Sequence, residues 1–319
     1  MLVCIPGVSP ATHRPYRLHD PDRIWPESNC SLDLWIEILG SLGLSPEPLL
    51  SVAVRQDFEA DQFGFTKILP EDLEFVYGLR VQELSLYDSL VTHVSHQMAR
   101  GRMCLVEVDA YFLPDTAQAS YRRRHGATMI GINRLDVEGE TLEYFHNGGY
   151  FSLSGEDFRA LLGGRSDERS GPQPYVEYTT LDFERTDPSE WKRRGKLLLA
   201  KHWERRPNTN PIRSFQSVLE TQAETLVNRG LDALHDYAFN NFRMLGSNFD
   251  LLGASLDWLS GGRHPLAAHC AVIAQSAASM PLRLAKAIAR RRFDRLSAAL
   301  DPAADAWDAL FEAVQILAA

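Results

Sequence analysis

The sequence predicts an α+β protein of two domains. Residues 1–186 form a central helix on an antiparallel sheet, and residues 187–319 form an α-helical bundle. Three patterns predict this. After Cys30, the residues Leu32, Trp35, Ile36 and Leu39 recur at helical spacing while Leu34, Ile38 and Leu42 fill the other side. A helix apolar on nearly all faces is one that runs through a core. Between Met103 and Asn147, three strand-like runs follow one another, the last two joined by a turn at Asp136–Gly139. Beyond Pro188 the apolar period is helical almost throughout, with Pro and Gly marking most breaks.

The elements follow in order. Residues 1–24 are an extended lead-in rich in Pro, His and Arg. Pro26 and the pair Ser28 and Asn29 then read as a stop and a helix N-cap, because short polar side chains accept the orphan N–H bonds of a first turn. Gly43-Leu44-Ser45-Pro46 ends that helix, and Leu49–Val54 is a short helix or strand. Asp57–Lys67 interleaves aromatic residues with carboxylates, the pattern of a partly buried strand with a wet edge. Pro70–Tyr77 and Leu86–Arg100 have helical spacing. His93 and His96 in the second read as surface histidines, since no third ligand is near. Met103–Asp109 is a strand with Glu107 and Asp109 on one face and Cys104 in the core. His125–Asn133 and Thr141–Asn147 are the two arms of a hairpin, and Ser154-Gly155-Glu156-Asp157 is a capping box opening a helix to Leu162. Arg165–Thr186 is polar, with a strand-like Tyr175–Phe183. Helices are then expected at about 189–204, 211–228, 230–243, 245–260, 265–279, 281–298 and 302–317.

Composition narrows the function classes. Residues 1–164 carry a net charge of −10 and residues 165–319 a net of +1, so the two halves face different partners. The overall net of −9 argues against nucleic acid as a partner. No apolar run reaches the ~18 residues of a membrane span, and the N-terminus has no basic stretch followed by a long apolar one. The four cysteines, Cys4, Cys30, Cys104 and Cys270, lack CxxC pairing. That speaks against zinc and against a disulfide framework, and for a reducing, cytoplasmic setting.

The chemistry gathers around Cys30. A cysteine in the first turn of a helix sits beside unpaired N–H groups and the positive end of the dipole, which favour a thiolate. Cysteine is also a common small hydrophobe of cores, so position alone does not make a nucleophile. Two further residues change the balance. In an antiparallel hairpin, His125 at the start of one strand and Asn147 at the end of the other share one edge. Helix-start Cys, strand-start His and a later carboxamide are the order and elements of papain-like enzymes. The thiolate attacks a carbonyl, the imidazole holds and returns a proton, and the amide orients the ring. His146 should point to the opposite face from Asn147 and ranks second as the base.

Residues about 20–164 also resemble an uncharacterised bacterial family related to the N-terminal domain of butirosin-biosynthesis protein H, itself papain-like. The resemblance rests on Trp25–Cys30, Phe58–Gln62, Val106–Asp115, Tyr121–His125 and Tyr144–Tyr150. The relative is an acyltransferase that moves an aminoacyl chain from a carrier-protein thioester to an amine. The resemblance implies Cys30 as nucleophile, His125 as base and Asn147 as orienter, although the related motif usually has Asp at the last position. Glu59, Asp61, Gln62, Glu107, Asp109 and Tyr111 are the candidate substrate-binding residues. Among them the carboxylates Glu59, Asp61, Glu107 and Asp109 suit the ammonium of an aminoacyl group, and Gln62 with Asn29 suits the oxyanion.

The expected activity is therefore acyl transfer through an acyl-Cys30 intermediate, from a carrier-protein thioester to a small-molecule or peptide amine. No intrinsic cofactor is called for; phosphopantetheine would arrive on the partner carrier. A papain-like peptidase or amidase, with water as acceptor, uses the same three residues. A non-catalytic module that binds a carrier protein or peptide through its helical half is the alternative of another class. Two basic clusters, Lys192–Arg206 and Arg283–Arg295, are solvated helix faces or docks for an acidic partner.

Overall fold

The computed structural model describes residues 1–163, 174–182 and 187–318. The polar stretch expected at 165–186 lies largely outside them, as does Phe183 at the end of its strand. The chain folds into two compact units. One comprises Met1–His19, Cys30–Pro46 and Ile68–Asp187; the other comprises Asp20–Asn29, Glu47–Lys67 and Pro188–Ala319. This differs from a single cut at 186/187. Two N-terminal segments join the helical unit because Trp25, Ala53, Val54, Phe58 and Phe63 pack in its core.

In the first unit the elements are β1 (Leu2–Val3), α1 (Cys30–Ser41), α2 (Pro70–Tyr77), β2 (Val81–Glu83), α3 (Leu90–Met98), β3 (Arg102–Asp109), β4 (Ala127–Asp136), β5 (Thr141–His146), β6 (Gly149–Ser154), α4 (Glu156–Phe158) and β7 (Val176–Thr180). All strand pairings are antiparallel, in the order β2-β7-β3-β4-β5-β6, with β1 on the last residues of β4, beyond the start of β3. The central-helix expectation thus meets an antiparallel seven-stranded sheet.

The pleat sorts the strand residues to two faces. Val106, Val108, Ile130, Ile132 and Tyr144 turn to one side, where Val94 and Met98 of α3 join them in a core. Leu105 pairs with Gly131 and Gly131 with Phe145, and these face the other side. There α1 lies on the sheet with Leu34 and Ile38 over Gly131. Leu32, Leu34, Trp35, Ile36, Ile38 and Leu39 are all buried, each such side chain contributing on the order of 1.5–3 kcal/mol. Asp33 and Glu37 are buried in the same helix, which the apolar reading of it did not foresee.

Several local expectations change. Asp57–Lys67 is not a strand: Phe58 and Phe63 form one isolated bridge around a tight turn with Ala60 at φ 69°, because both rings are drawn into an aromatic cluster with Phe215. No side-chain cap opens α4, whose N-cap is Gly155 at φ 61°. His93 is buried, not a surface residue; its Nε2 accepts the N–H groups of Tyr87 and Asp88 and so closes the turn before α3.

The second unit contains a 3-10 helix over Glu47–Arg55 and then α5 (Pro188–Trp203), α6 (Pro211–Leu226), α7 (Gly230–Ala238), α8 (Met244–Ser260), α9 (Ala267–Arg290) and α10 (Asp301–Ala318). The expected break at Pro281 does not occur: Pro281 sits inside α9. An interior proline costs about 3 kcal/mol, and the buried stripe Cys270, Ile273, Ala277, Met280, Leu284 and Ala287 offsets it by holding both halves on one core. Among the described residues, no helix is long and apolar enough to cross a membrane.

Candidate functional site

An exposed polar pair of the first unit lies where β3 ends and β4 begins. Asp109, the last residue of β3, pairs with Ala127, the first of β4. The intervening loop folds back on itself. Ala110 N–H donates to the Gly126 carbonyl at 2.8 Å, Thr116 Oγ1 donates to the Ala110 and Leu113 carbonyls, and Arg122 binds Asp157 at 2.6 Å. This closure returns His125 to Asp109.

The pair is tightly defined. Asp109 Oδ2 lies 2.6 Å from His125 Nδ1, and Asp109 Oδ1 accepts the Tyr111 and Gly126 N–H groups at 3.0 and 3.1 Å. Burial alone would raise the Asp109 carboxyl, but the His125 bond and the two backbone bonds outweigh it and hold it below the usual range. Tyr111 stacks on the imidazole, with centroids 4.4 Å apart and planes 13° apart, and Arg122 lies over the Tyr111 ring. With Nδ1 engaged, Nε2 makes no hydrogen bond among the described residues, and the His125 side chain is 71% exposed. An imidazole fixed through Nδ1 and open at Nε2 is arranged to accept or return a proton.

Cys30 begins α1 and is half-buried, whereas Cys104 and Cys270 are buried. None of the four cysteines is in a disulfide. Burial raises the thiols of Cys4 and Cys104 to about 12, so both are poor nucleophiles at neutral pH. Cys30 lies one turn before Leu34 on the stripe that meets Gly131. Alternation from Leu105 puts Glu107 and Asp109 on the sheet face that α1 covers. The His19 ring lies 2.5 Å from Glu37 Oε1 and 3.3 Å from Asp33 Oδ1 and packs where a Gly148 β-carbon would stand, so α1 is tied to the β5–β6 turn. Register places that turn at the end of the sheet where β3 finishes and β4 starts. Asp109 and His125 stand at that same end of the sheet.

The expected carboxamide partner behaves differently. Asn147 shares no hydrogen bond with His125, whose Nδ1 is held by Asp109. Asn147 and Gly148 make the two-residue turn between β5 and β6, and Asn147 takes φ 45°, a left-handed conformation that asparagine tolerates. The residues expected to bind substrate also separate. Glu107, Asp109 and Tyr111 stand in the first unit, Tyr111 as a platform for His125 and Glu107 exposed on β3. Glu59, Asp61 and Gln62 are exposed on the tight turn of the second unit, where the Asp61 carbonyl accepts from Gln222. Asn29 also belongs to that unit, and its Nδ2 donates to the Thr66 carbonyl.

Two polar clusters escaped the sequence reading. His146 faces away from α1, and both its nitrogens are used: Nδ1 at 2.6 Å from Asp115 Oδ2 and Nε2 at 2.8 Å from Thr128 Oγ1. Asp115 Oδ1 accepts from Tyr144, and His146 is 2% exposed, so this is a closed internal network. On the α1 side, Glu37 binds His13, His19 and the Tyr16 N–H. The signal for the second was present: two carboxylates four apart in a helix otherwise fit only for burial require cationic partners, and the lead-in supplies histidines. Among the described residues, no group of three or more His, Cys, Asp or Glu is placed to hold a metal ion.

Residues 14–181 match the DUF1839 N-terminal domain and residues 189–316 match the DUF1839 C-terminal domain. No curated protein matches the chain. Two domain matches that between them span nearly the whole sequence establish that the chain belongs to the DUF1839 family.

Proposed function

We propose that the first unit is a papain-like cysteine acyltransferase, with Cys30 as nucleophile, His125 as general base and Asp109 as the residue that orients His125. The observation that carries this reading is the Asp109–His125 pair, in which a carboxylate fixes Nδ1 and leaves Nε2 open. The helix-start position of Cys30 and the resemblance to the butirosin protein H domain support it. In the reaction, the Cys30 thiolate attacks the carbonyl of a thioester, the donor thiol leaves, and an acyl-Cys30 thioester forms. His125 Nε2 then takes a proton from an acceptor amine as that amine attacks. The amide is released and the Cys30 thiolate returns. Backbone N–H groups at the start of α1 would hold the oxyanion. Glu107 is the candidate for the ammonium of an aminoacyl group, the donor being a carrier-protein thioester.

The exposure of His125 favours one second reading: water reaches the same imidazole, and with water as acceptor the same residues make a thiol hydrolase. Both readings are tested by incubating the protein with an aminoacyl carrier-protein thioester, with and without added amines, and following intact mass. An acyl adduct that maps to Cys30 and vanishes in Cys30→Ala supports the cysteine mechanism. Amide product then marks a transferase, and free acid alone a hydrolase. Turnover that persists in Cys30→Ala excludes both.

A further inference from the structure

We propose that the end of α9 and the turn that follows it form a binding site for a small molecule carrying two or more linked phosphates. A cavity of about 440 Å³ in the second unit is lined by Arg283, Lys286, Arg290, Arg292 and Arg295, with Asp294 as its one acidic lining residue, for a net charge of +4. Arg283, Lys286 and Arg290 recur at i, i+3 and i+7 and so share a helix face. The helix then ends on Arg291 at φ 50°, and Arg292 N–H bonds back to the Ala287 carbonyl. An arginine in this left-handed conformation is unfavourable, yet it brings Arg292 and Arg295 round to face the helical three.

Among the described residues, little answers this charge. Arg292 reaches Asp294 only at 3.9 Å, and Arg283 Nε donates to Ser279 Oγ. Lys286, Arg290 and Arg295 have no ion-pair partner among the described residues. The other basic cluster is different: on α5, Arg193 and Arg194 both bind Glu190, at 2.7 and 2.8 Å. Complementing the helix dipole does not account for the surplus, since the C-terminal end is equivalent to about half a negative charge and a single cation satisfies it. Five like charges held around one cavity raise the energy of the unliganded protein, and an anion of matching charge removes that repulsion.

The chemistry of the lining selects the ligand. Guanidinium forks engage phosphate oxygens in pairs, and four of the five cations are arginines. A single phosphate carries too little charge for the site, whereas a diphosphate carries more and offers a second set of oxygens to the guanidinium forks. The surroundings limit its size. The chain turns acidic immediately afterwards, at Asp301, Asp305 and Asp308, and the whole protein carries a net charge of −9. A net negative protein with a local cationic cavity favours a compact anion over a long polyanion.

The test is isothermal titration of the full chain with inorganic pyrophosphate at 0.15 M salt. ADP, orthophosphate and a DNA duplex serve as parallel titrants. The expected result is one pyrophosphate site with a dissociation constant below about 1 mM. Orthophosphate should bind about tenfold more weakly, or not at all. Tighter binding of ADP than of pyrophosphate identifies a nucleoside diphosphate, and equal binding means that the diphosphate group alone is recognised. Arg290→Glu with Arg295→Glu, both exposed positions, should abolish binding while circular dichroism stays unchanged. The control Arg193→Glu with Lys196→Glu on α5 should bind as the unaltered protein does. The proposal is overturned by absent binding, by binding that survives the first pair of substitutions, or by duplex DNA that displaces pyrophosphate at equal phosphate concentration.

Discussion

Gly131 lies directly under Ile38: a β-carbon at this glycine would stand 3.1 Å from Ile38 Cδ1 and 3.3 Å from Leu34 Cδ1. The bare backbone of β4 thus sets how closely α1, the helix that Cys30 begins, approaches the sheet. Gly131→Ala should push the helix outward. The expected cost is about 1–3 kcal/mol in a denaturant titration, as for other overpacked cores. Alkylation of Cys30 should slow in parallel, and a variant of native stability would show that the approach is looser than these distances require.

Asp109 holds His125 by a bond that only a carboxylate makes well when the ring is charged. Asp109→Asn keeps the shape but removes the anion, and an amide that presents Nδ2 leaves the imidazole in the wrong tautomer. Thioester turnover should fall by about 100-fold or more, with a smaller effect on substrate affinity. Asn147→Ala should leave turnover within about threefold, since Asn147 shapes a turn and does not touch His125; a loss as large as that of Asp109→Asn would return Asn147 to the mechanism.

The buried pair of His19 and Glu37 makes stability depend on pH in a stated direction. Burial by itself would lower the His19 pKa, but Asp33 and Glu37 raise it from 6.5 to about 9. Burial would raise Glu37, but His13, His19 and the Tyr16 N–H lower it from 4.5 to about 2. A raised histidine contributes stability that is complete below pH 6.5 and lost as the pH climbs through 9; a lowered glutamate contributes stability that is complete above pH 4.5 and lost as the pH falls through 2. Melting temperature should therefore decline between pH 6.5 and 9, and Glu37→Gln should flatten that decline. An unchanged slope in the variant would show that Glu37 does not hold the imidazolium.

Pro281 tests how far packing overrides local preference. Pro281→Ala restores a backbone N–H inside α9 and removes a ring clash, so stability should rise by about 1 kcal/mol despite the looser unfolded chain. A drop in melting temperature would mean that the proline's shape is itself part of the core.

How much of this was legible in the sequence depends on the range of the interaction. The α1 helix, the β4–β5 hairpin and the helical second half were readable, because apolar period and turn residues encode them locally. The chain break at Pro281 was misread, since the stripe from Cys270 to Ala287 that keeps α9 continuous is recognised only once the core exists. That the segments 20–29 and 47–67 pack with the helical unit is not legible for the same reason: nothing local says that Phe58 and Phe63 meet Phe215. At the candidate site, Cys30 and His125 were singled out by position. Asp109 was noticed as a carboxylate on a strand face, but its bond to His125 depends on how the loop after β3 closes, which no periodicity reports.

An activated Cys30 reveals itself in its rate of alkylation. Peptide mapping after iodoacetamide treatment at pH 7 should show Cys30 reacting at least about 10 times faster than a free thiol, while Cys4, Cys104 and Cys270 stay unmodified. His125→Ala should bring Cys30 down to the ordinary rate. A Cys30 that reacts no faster than free cysteine, or that reacts equally fast without His125, contradicts the account.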